Sequence, residues 1–305
     1  VDYPWRPVNN IQGTDFPEPP PFRGDTIHIG NLFYDMEQDW LRETHTRYIR
    51  HCLDNLAGQP NVIHTTGDEY TGPLSYVQYW LDTISQWVAE GNPDPVIALS
   101  TTKDVQDSIL ADPVRSRLVD VVEFKYWFNT DNGLYAPKGG EELAPRQHLR
   151  KWKGGDSSEK NVANMVRDYR LAYPGKAVTV SQIRGMEGWT MLAAGASLAP
   201  VPPLLDPAIR QAIPGMDPIP ATGPDADSYW IIGDNRHFLV CALPEVEAIL
   251  ETPGSASFEF RQVDGATGRL MGQSKTTSPG KSTRLPALSG RLAIYWVTRT
   301  DSDSQ

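Results

Sequence analysis

The segment PVIALSTTKDVQDSILADPVRSRLVDVVEF, residues 95–124, decides the fold class of this chain. Residues 95–100 form a short apolar run that is typical of a buried strand, and residues 119–124 form a second such run. Between them, residues 103–110 have the apolar spacing of a short helix, which Pro113 prevents from continuing. A strand, a helix and a second strand in succession predict two parallel strands with the helix packed outside the sheet.

The same alternation of strands and helices extends from this segment in both directions. Helices are predicted at residues 44–56, 74–88, 158–172 and 189–196, and further strands at residues 61–64 and 177–181. A long polar stretch, residues 128–157, is predicted to be a loop. Together these elements predict a βα-repeat region with a parallel sheet.

Only four or five βα units can be counted, whereas a (β/α)8 barrel needs eight units and about 250 residues. The sheet is therefore either open and doubly wound, or the first units lie on residues absent from this chain. The opening VDYPWRPVNN resembles a loop whose preceding strand is missing. We therefore predict that residues 1–216 form the C-terminal part of a (β/α)8 TIM barrel that lacks its first strands. A second chain or an N-terminal fragment would then complete the barrel.

The pattern changes after residue 198, where Pro-rich segments surround one short helix. Residues 217–226 are predicted to be a linker, and residues 227–305 a small antiparallel β-sandwich, because strand-like runs follow one another at close spacing. The strongest hairpin prediction is SASFEFRQVDGATGRL, residues 255–270, with DGATG as its turn. The fold class is thus α/β plus all-β.

Composition excludes several classes of partner and cofactor. The formal charge of -10 and the pI near 5.1 argue against a nucleic-acid partner. No apolar run is long enough to cross a bilayer. The two cysteines, Cys52 and Cys241, are too few for a disulfide framework and are interpreted as buried free thiols. The six histidines lack the spacing of a zinc site and no phosphate-binding loop is present, so we predict no metal and no cofactor.

Candidate catalytic residues are sought where parallel strands end and loops begin. The segment GDEYTGP, residues 67–73, follows the strand 61–64 and carries Asp68 and Glu69. Because successive side chains diverge, one carboxylate is expected to act as the catalyst and the other to orient it or to bind a sugar hydroxyl. A helix-capping role is the alternative. His64, inside the strand, is either a substrate-binding residue or a hydrogen-bonded core residue.

Two further carboxylates follow later strands. Glu123 lies near the end of VDVVEF and precedes Tyr126 and Trp127, where it either binds or protonates a sugar or forms a buried ion pair with Lys125. Glu187 follows the strand 177–181 and is either a catalytic carboxylate or a residue that stabilises the first turn of the next helix. The remaining substrate-binding candidates are Arg146 and His148 in the long loop, Gln182, and Trp189.

The segment PNVIHTTGDEYTGP and the helix after it resemble the fourth βα unit of clan A-type glycoside hydrolases. The segments PWRPVNN, TTKDVQDSILADPVRS, APKGG and LAPRQH are similar to an uncharacterised family of bacterial proteins from polysaccharide-degrading organisms. The segments DNRHFLVCALP and FRQVDGATGRL resemble a β-sandwich described as collagen-binding that often follows such barrels. Together the resemblances cover most of the chain.

The resemblance implies specific roles for the carboxylates. In clan A enzymes the general acid/base is a Glu at the end of strand four, which matches Glu69. The nucleophile is a Glu at the end of strand seven, where this chain has Gln182 or a neighbour. This departure leaves three alternatives: the nucleophile is Glu187 or Glu123, the mechanism is inverting, or catalysis has been lost.

The leading hypothesis is a secreted or periplasmic glycosidase acting on a plant, algal or microbial polysaccharide. In this hypothesis Tyr126, Trp127 and Trp189 are platforms for sugar rings, and Arg146 and His148 bind polar or acidic groups. A non-catalytic carbohydrate-binding protein on the same fold is the second hypothesis. A polysaccharide lyase that uses Tyr126 or His148 as its base is the third.

Overall fold

The structure is a computed structural model, and it divides the chain into two compact units, Val1–Asp156 and Ser157–Gln305, called unit 1 and unit 2 below. It describes residues 6–11, 13, 16–18, 32–68, 70–124, 128–130, 133–135, 158–180, 188–252, 256–277 and 282–300. Within the described ranges we find no helix with the length and apolarity needed to span a lipid bilayer.

Unit 1 is built on strands and helices that alternate along the chain. Its elements are α1 (Asp39–Leu56), β1 (Ile63–Thr65), α2 (Leu74–Ala89), β2 (Val96–Leu99), α3 (Lys103–Ala111) and β3 (Val121–Phe124). Strand β2 pairs in parallel with both β1 and β3. The parallel α/β arrangement predicted from residues 95–124 is therefore confirmed.

The two faces of the sheet carry different side chains along β1, β2 and β3. Ile97, Leu99, Val122 and Phe124 are all almost fully buried, and they lie on the face that packs against the helices. The opposite face, called the open face here, carries the exposed Ile63 and Thr65, the partly buried Glu123, and the buried Ala98 and Val121. Asp120 holds β2 and β3 in register, because its Oδ2 accepts a hydrogen bond from Ile97 N at 2.9 Å and its own N donates to Ile97 O at 2.8 Å.

Two short strands lie inside the stretch predicted to be a loop. Strand β4 (Phe128–Thr130) pairs antiparallel with β5 (Gly133–Tyr135) across a two-residue connection. The prediction of a continuous loop over residues 128–157 is therefore wrong at its start. Strands of three residues are too short to show an alternating pattern in the sequence.

Unit 2 combines a few helices with a large antiparallel sheet. Its first elements are α4 (Glu159–Ala172), β6 (Ala177–Val180), α5 (Gly188–Ala193) and α6 (Pro207–Ala212). The strands that follow are β7 (Asp217–Ile219), β8 (Tyr229–Gly233), β9 (His237–Ala242), β10 (Ala248–Leu250), β11 (Phe258–Val263), β12 (Leu270–Thr276), β13 (Thr283–Leu285) and β14 (Ala293–Arg299). Six of them form one sheet in the order β12-β11-β14-β9-β8-β7, and β10 pairs with β13. The hairpin predicted at residues 255–270 is confirmed as β11 and β12.

The central strands β8, β9 and β14 of the six-stranded sheet are buried on both faces, whereas β12 is largely exposed. One face forms an apolar core with β10 and β13 that includes Tyr229, Phe258 and Leu285. On the other face, Trp230 Nε1 donates to Asn164 Oδ1 on α4 at 3.0 Å, and Cys241 Sγ lies 3.8 Å from Thr190 Oγ1 on α5. Burial on two sides explains why β8 and β9 are apolar at nearly every position instead of alternating.

Three further predictions can be compared with these elements. The described strands form no closed barrel, so the TIM-barrel prediction rests on the parallel sheet alone. Strand β7 lies inside the stretch 217–226 that is predicted to be a linker. Cys52 is partly buried and Cys241 is buried, and both are free thiols.

Candidate functional site

The carboxyl edge of the three parallel strands carries an outward loop after β1. Thr66 N donates to Ala98 O at 3.4 Å, and the next bond of the ladder runs from Tyr70 N to Ser100 O at 2.9 Å. The chain therefore uses four residues to advance two residues along β2, whereas a regular parallel ladder would use two. Asp68 lies in this extra length of chain and is exposed. The ladder thus holds both ends of the loop and leaves its carboxylate segment at the edge of the sheet.

Tyr70 anchors the loop in a buried cluster of aromatic rings. The Tyr70 side chain is 6% exposed, and its hydroxyl donates to Pro73 O at 2.8 Å. Its ring stacks on Tyr76 of α2 with centroids 6.0 Å apart and meets the edge of Tyr34 at 5.4 Å. Such ring pairs add to the free energy of burial, so the loop is fixed at Tyr70 as well as at the ladder.

This anchoring leaves little room for a side chain at either glycine of the motif. A Cβ placed on Gly72 would lie 2.5 Å from the Tyr70 hydroxyl oxygen and 2.9 Å from Cε2 of Tyr34. A Cβ on Gly67 would lie 3.2 Å from the Cβ of Tyr70. Non-bonded carbon atoms pack best at about 3.5–4.0 Å, so only a residue without a side chain fits at Gly72.

A neutral hydrogen-bonded histidine lies beneath the aromatic cluster. His45 Nε2 contacts Phe33 O at 3.1 Å, and the Tyr76 hydroxyl contacts His45 Nδ1 at 3.2 Å. A carbonyl only accepts, so Nε2 carries the proton and Nδ1 accepts from the hydroxyl. Burial lowers the pKa of His45, and burial also raises the pKa of Tyr76 and of Tyr34. All three groups are therefore uncharged near neutral pH, and their contacts hold the end of the loop in place.

Glu123 is the second carboxylate at this edge. It is partly buried on the open face of the sheet, one residue beyond Val122, which pairs with Leu99. Strands β1 and β3 flank β2, so their backbones are about 10 Å apart. Asp68 and Glu123 thus belong to the same edge, on strands separated by one neighbour. Within the described ranges, no three His, Cys, Asp or Glu side chains are grouped so that they could hold a metal ion.

His64 is not brought together with Asp68. It pairs in register with Ile97, and so it shares the face of the sheet that packs against the helices. There it lines a cavity of about 170 Å³ with Leu53 of α1 and Trp87 of α2, close to the amino ends of the strands. Burial lowers the pKa of His64. The His64 side chain is partly buried there, and both alternatives considered for it in the sequence stay predictions.

Trp189 is a correction to the predicted set of sugar platforms. Trp189 is the second residue of α5. Its side chain is 2% exposed, and its Nε1 donates to Gly265 O at 2.8 Å. A ring with both faces packed inside unit 2 has no surface on which a sugar could stack. Its role in this structure is to join α5 to the β11–β12 turn.

Seven predicted residues lie outside the described part of the chain. They are Glu69, Tyr126, Trp127, Arg146, His148, Gln182 and Glu187. Their assignments stay predictions.

Buried polar groups at the carboxyl edge were missed by the sequence reasoning. Thr66 and Thr102 follow β1 and β2, and their hydroxyl oxygens are buried with no hydrogen-bond partner among the described residues. Gln106 on α3 is fully buried, and its amide also lacks a partner in that part of the chain. A Thr-Thr pair at the carboxyl end of β1 and of β2, at 65–66 and 101–102, was the available sequence signal. Unpaired buried polar atoms need an explanation such as bound water.

Comparisons with known proteins relate the chain to one family and one fold. A family model described as "Domain of unknown function (DUF6298)" matches residues 1–216. No curated protein matches the chain. A solved structure described as "Glycoside hydrolase" is 11% identical, with a TM-score of 0.52 over 86% of this chain and 70% of its own. A glycoside hydrolase family 5 protein from Bacteroides vulgatus is 11% identical, with a TM-score of 0.53 over 86% and 68%. At such identity the likeness concerns the fold alone.

Proposed function

We propose that this chain, which belongs to the DUF6298 family, is a glycoside hydrolase that cleaves a plant, algal or microbial polysaccharide or oligosaccharide. The observation that carries the proposal is the pair of carboxylate positions at one edge of the parallel sheet, Asp68 in the anchored loop and Glu123 on the open face. Active sites of βα-repeat enzymes lie at this edge. The similarity of the fold to glycoside hydrolases supports the same reading.

The loop after β1 supplies the general acid in this proposal. Glu69, next to the exposed Asp68, protonates the oxygen of the leaving sugar, as its match to the clan A motif implies. Asp68 accepts a hydrogen bond from a sugar hydroxyl or orients its neighbour. A general acid must be held in place to within a hydrogen-bond length. The ladder bond at Tyr70 and its stacking on Tyr76 supply that rigidity.

The second carboxylate is Glu123 or Glu187. A nucleophile lies about 5–5.5 Å from the acid in retaining enzymes, and a base lies about 6.5–9.5 Å from it in inverting enzymes. The backbones of β1 and β3 are about 10 Å apart, which leaves room for either of these separations, because the side chains of the two carboxylates can extend into the gap. Because Glu123 lies inside a paired strand, its position is fixed by β3, and we assign it the role of base for a water.

The remaining predicted residues form the sugar-binding surface. Tyr126 and Trp127 follow β3 directly and would present rings to the sugar, and Arg146 and His148 would bind polar or acidic substituents. Gln182, after β6, would contact a sugar hydroxyl. Trp189 has no place in this surface, because it is buried.

A carbohydrate-binding protein without catalytic activity is the second candidate function. One observation favours it: the position after β6 that matches the nucleophile of clan A enzymes carries Gln182 rather than Glu. An amide can hydrogen-bond a sugar but cannot attack it or activate water.

Product analysis on a panel of polysaccharides distinguishes these functions. The purified chain is incubated with neutral and acidic polysaccharides, and new reducing ends and ultraviolet absorption are measured together. New reducing ends without ultraviolet absorption support a hydrolase, whereas an unsaturated, absorbing product indicates a lyase. Binding on a glycan array without any product on the same glycans would favour the binding protein.

The proposal includes a secreted or periplasmic location, because an intact polysaccharide does not enter the cytoplasm. Immunodetection of the protein in fractionated cells would test it. Recovery of the protein in the cytoplasmic fraction alone would contradict this part of the proposal.

A further inference from the structure

Unit 2 contains a cavity of about 440 Å³ that the proposed function does not use. We call it the arginine cavity, because Arg170 and Arg210 lie in its wall. Most of its remaining lining is apolar, including Leu192, Val201, Leu205, Ile213, Met216 and Ile232. Cavities of about 300–1,000 Å³ with apolar walls and a few polar groups are typical of small-molecule sites.

The arginine cavity lies at the beginning of β6. Arg170 Nη1 donates to Lys176 O at 2.6 Å, immediately before that strand. Ser197, another lining residue, donates from its N to Val178 O at 2.7 Å and accepts at its Oγ from Val178 N at 3.0 Å. The catalytic and sugar-binding candidates Gln182 and Glu187 instead follow the end of β6 in the sequence. None of the described lining residues is used in the proposed function.

Arg170 is held in the cavity wall by its own hydrogen bonds. Its Nη2 donates to Asp217 Oδ1 at 3.0 Å, and its Nη1 is taken up by the carbonyl before β6. Its Nε–H is buried and has no hydrogen-bond partner among the described residues. Because its Nε is enclosed and its Nη atoms are engaged, Arg170 offers no free donor to a ligand in the cavity.

Arg210 supplies a second cation. It lies in the last turn of α6 and is exposed, and within the described ranges its guanidinium forms no hydrogen bond or ion pair. The nearest acids are already engaged, since Asp206 caps α6 by accepting from Ala208 N at 3.0 Å and Asp217 is paired with Arg170. Arg210 is therefore the lining cation whose guanidinium is available to a ligand.

We propose that the arginine cavity binds a small amphipathic carboxylate, a molecule with an apolar body and one carboxylate group. The apolar wall removes the body of the ligand from water. The Arg210 guanidinium donates to the carboxylate, and charge-assisted hydrogen bonds of this kind are stronger than neutral ones. This site does not depend on the glycosidase activity, so either proposal can fail without the other.

Binding of 3-phenylpropanoate to the full chain tests this proposal, with 3-phenylpropan-1-ol as the neutral probe of matched shape. We expect the carboxylate to bind about tenfold more tightly than the alcohol in calorimetric or ligand-observed NMR titrations near neutral pH, a difference of about 1.4 kcal/mol. Equal affinity of the two probes, or no binding of either, would overturn the proposal.

Variants then locate the site. Arg210→Gln removes the exposed cation without touching the apolar wall, and we expect it to abolish the preference for the carboxylate. Arg236→Gln, at the β8–β9 turn outside the cavity, removes the same charge and should leave the preference unchanged. Circular dichroism checks that both variants fold. A preference that survives Arg210→Gln, or that is lost equally in both variants, would contradict the assignment.

Discussion

Gly72 occupies the tightest position in the loop that follows β1. A Cβ there would lie 2.5 Å from the Tyr70 hydroxyl oxygen, inside a cluster of buried rings that has little room to yield. We expect Gly72→Ala to lower the free energy of unfolding by about 1–3 kcal/mol, the usual cost of overpacking a core. Urea denaturation measures this value.

Gly175→Ala is the matched control for that substitution. No atom lies within 4 Å of a Cβ built on Gly175, and its backbone conformation suits other residues. Its unfolding free energy should stay within about 0.5 kcal/mol of the parent chain. If both variants were equally stable, the loop would not be packed as described.

The buried His45 predicts a dependence of stability on pH. Its pKa in the folded chain is lowered from the ordinary value of about 6.5. Between the two values the unfolded chain binds more protons, so the stability contributed by neutral His45 is complete above about pH 6.5 and is lost as the pH falls below it. We expect His45→Gln to lose less unfolding free energy than the parent between about pH 7.5 and pH 5.5.

His64→Gln is the comparison for the pH experiment. Burial also lowers the pKa of His64, but this side chain is less enclosed and has no described network around it. Its replacement should reduce the pH dependence by a smaller amount. An unchanged pH dependence in His45→Gln would show that His45 is not held neutral by the fold.

The sequence alone predicts the position of some residues of the candidate site but not of others. Asp68 and Glu123 could be placed at strand ends, because the strands are visible as apolar runs. Trp189 could not be assigned, since an aromatic ring that faces a neighbouring sheet looks the same in sequence as one that faces a ligand. The cluster of Tyr34, Tyr70 and Tyr76 depends on contacts between distant segments, which no local pattern records.

At the scale of elements, Arg115 links α2 and α3, the helices that precede and follow β2 in the chain. Its guanidinium donates to both carboxylate oxygens of Asp82 on α2, at 2.9 and 2.8 Å, and to Asp112 at the end of α3 at 2.6 Å. We expect Arg115→Lys to lower the unfolding free energy by about 0.5–1 kcal/mol, because lysine cannot form the two-pronged contact and the pair is partly exposed.

Arg117→Lys, an exposed arginine in the same turn, is the control for Arg115→Lys. It should change the urea midpoint very little. If both substitutions lowered the urea midpoint equally, the loss of stability would come from replacing any arginine in this turn and not from losing the contact with Asp82.

Helices were easier to predict than short strands. The helix predicted at 74–88 is Leu74–Ala89, because five apolar residues at regular spacing define its buried face. Strands β4 and β5 were missed, since three residues cannot show alternation. Strands β8 and β9 were recognised as strands, but their burial on both faces depends on α4 and α5, which lie far away in the sequence.

At the scale of the whole molecule, the packing of α4 and α5 predicts which fragment is stable. Trp230, Cys241 and Ile294 are buried on the sheet face that meets these helices. A fragment of residues 217–305 would expose that face, at a cost of about 1.5–3 kcal/mol for each large apolar side chain. We expect the fragment 157–305 to unfold cooperatively and the fragment 217–305 to bind a hydrophobic dye and to aggregate.

The comparison of the two fragments also tests the predicted domain boundary near residue 217. A fragment 217–305 that unfolds cooperatively and binds no dye would support an independent C-terminal domain. Sequence could not decide this point, because the apolar face of a sheet does not show which partner covers it.

The central claim is that the loop after β1 supplies the acid of a glycosidase. The most direct test is the rate at which Glu69→Gln releases new reducing ends from a polysaccharide that the parent chain cleaves, with Glu43→Gln on the exposed side of α1 as the control. We predict that Glu69→Gln loses about 10²–10⁴-fold in rate while its circular dichroism spectrum stays unchanged, and that Glu43→Gln keeps the parent rate. Full activity in Glu69→Gln would contradict the account.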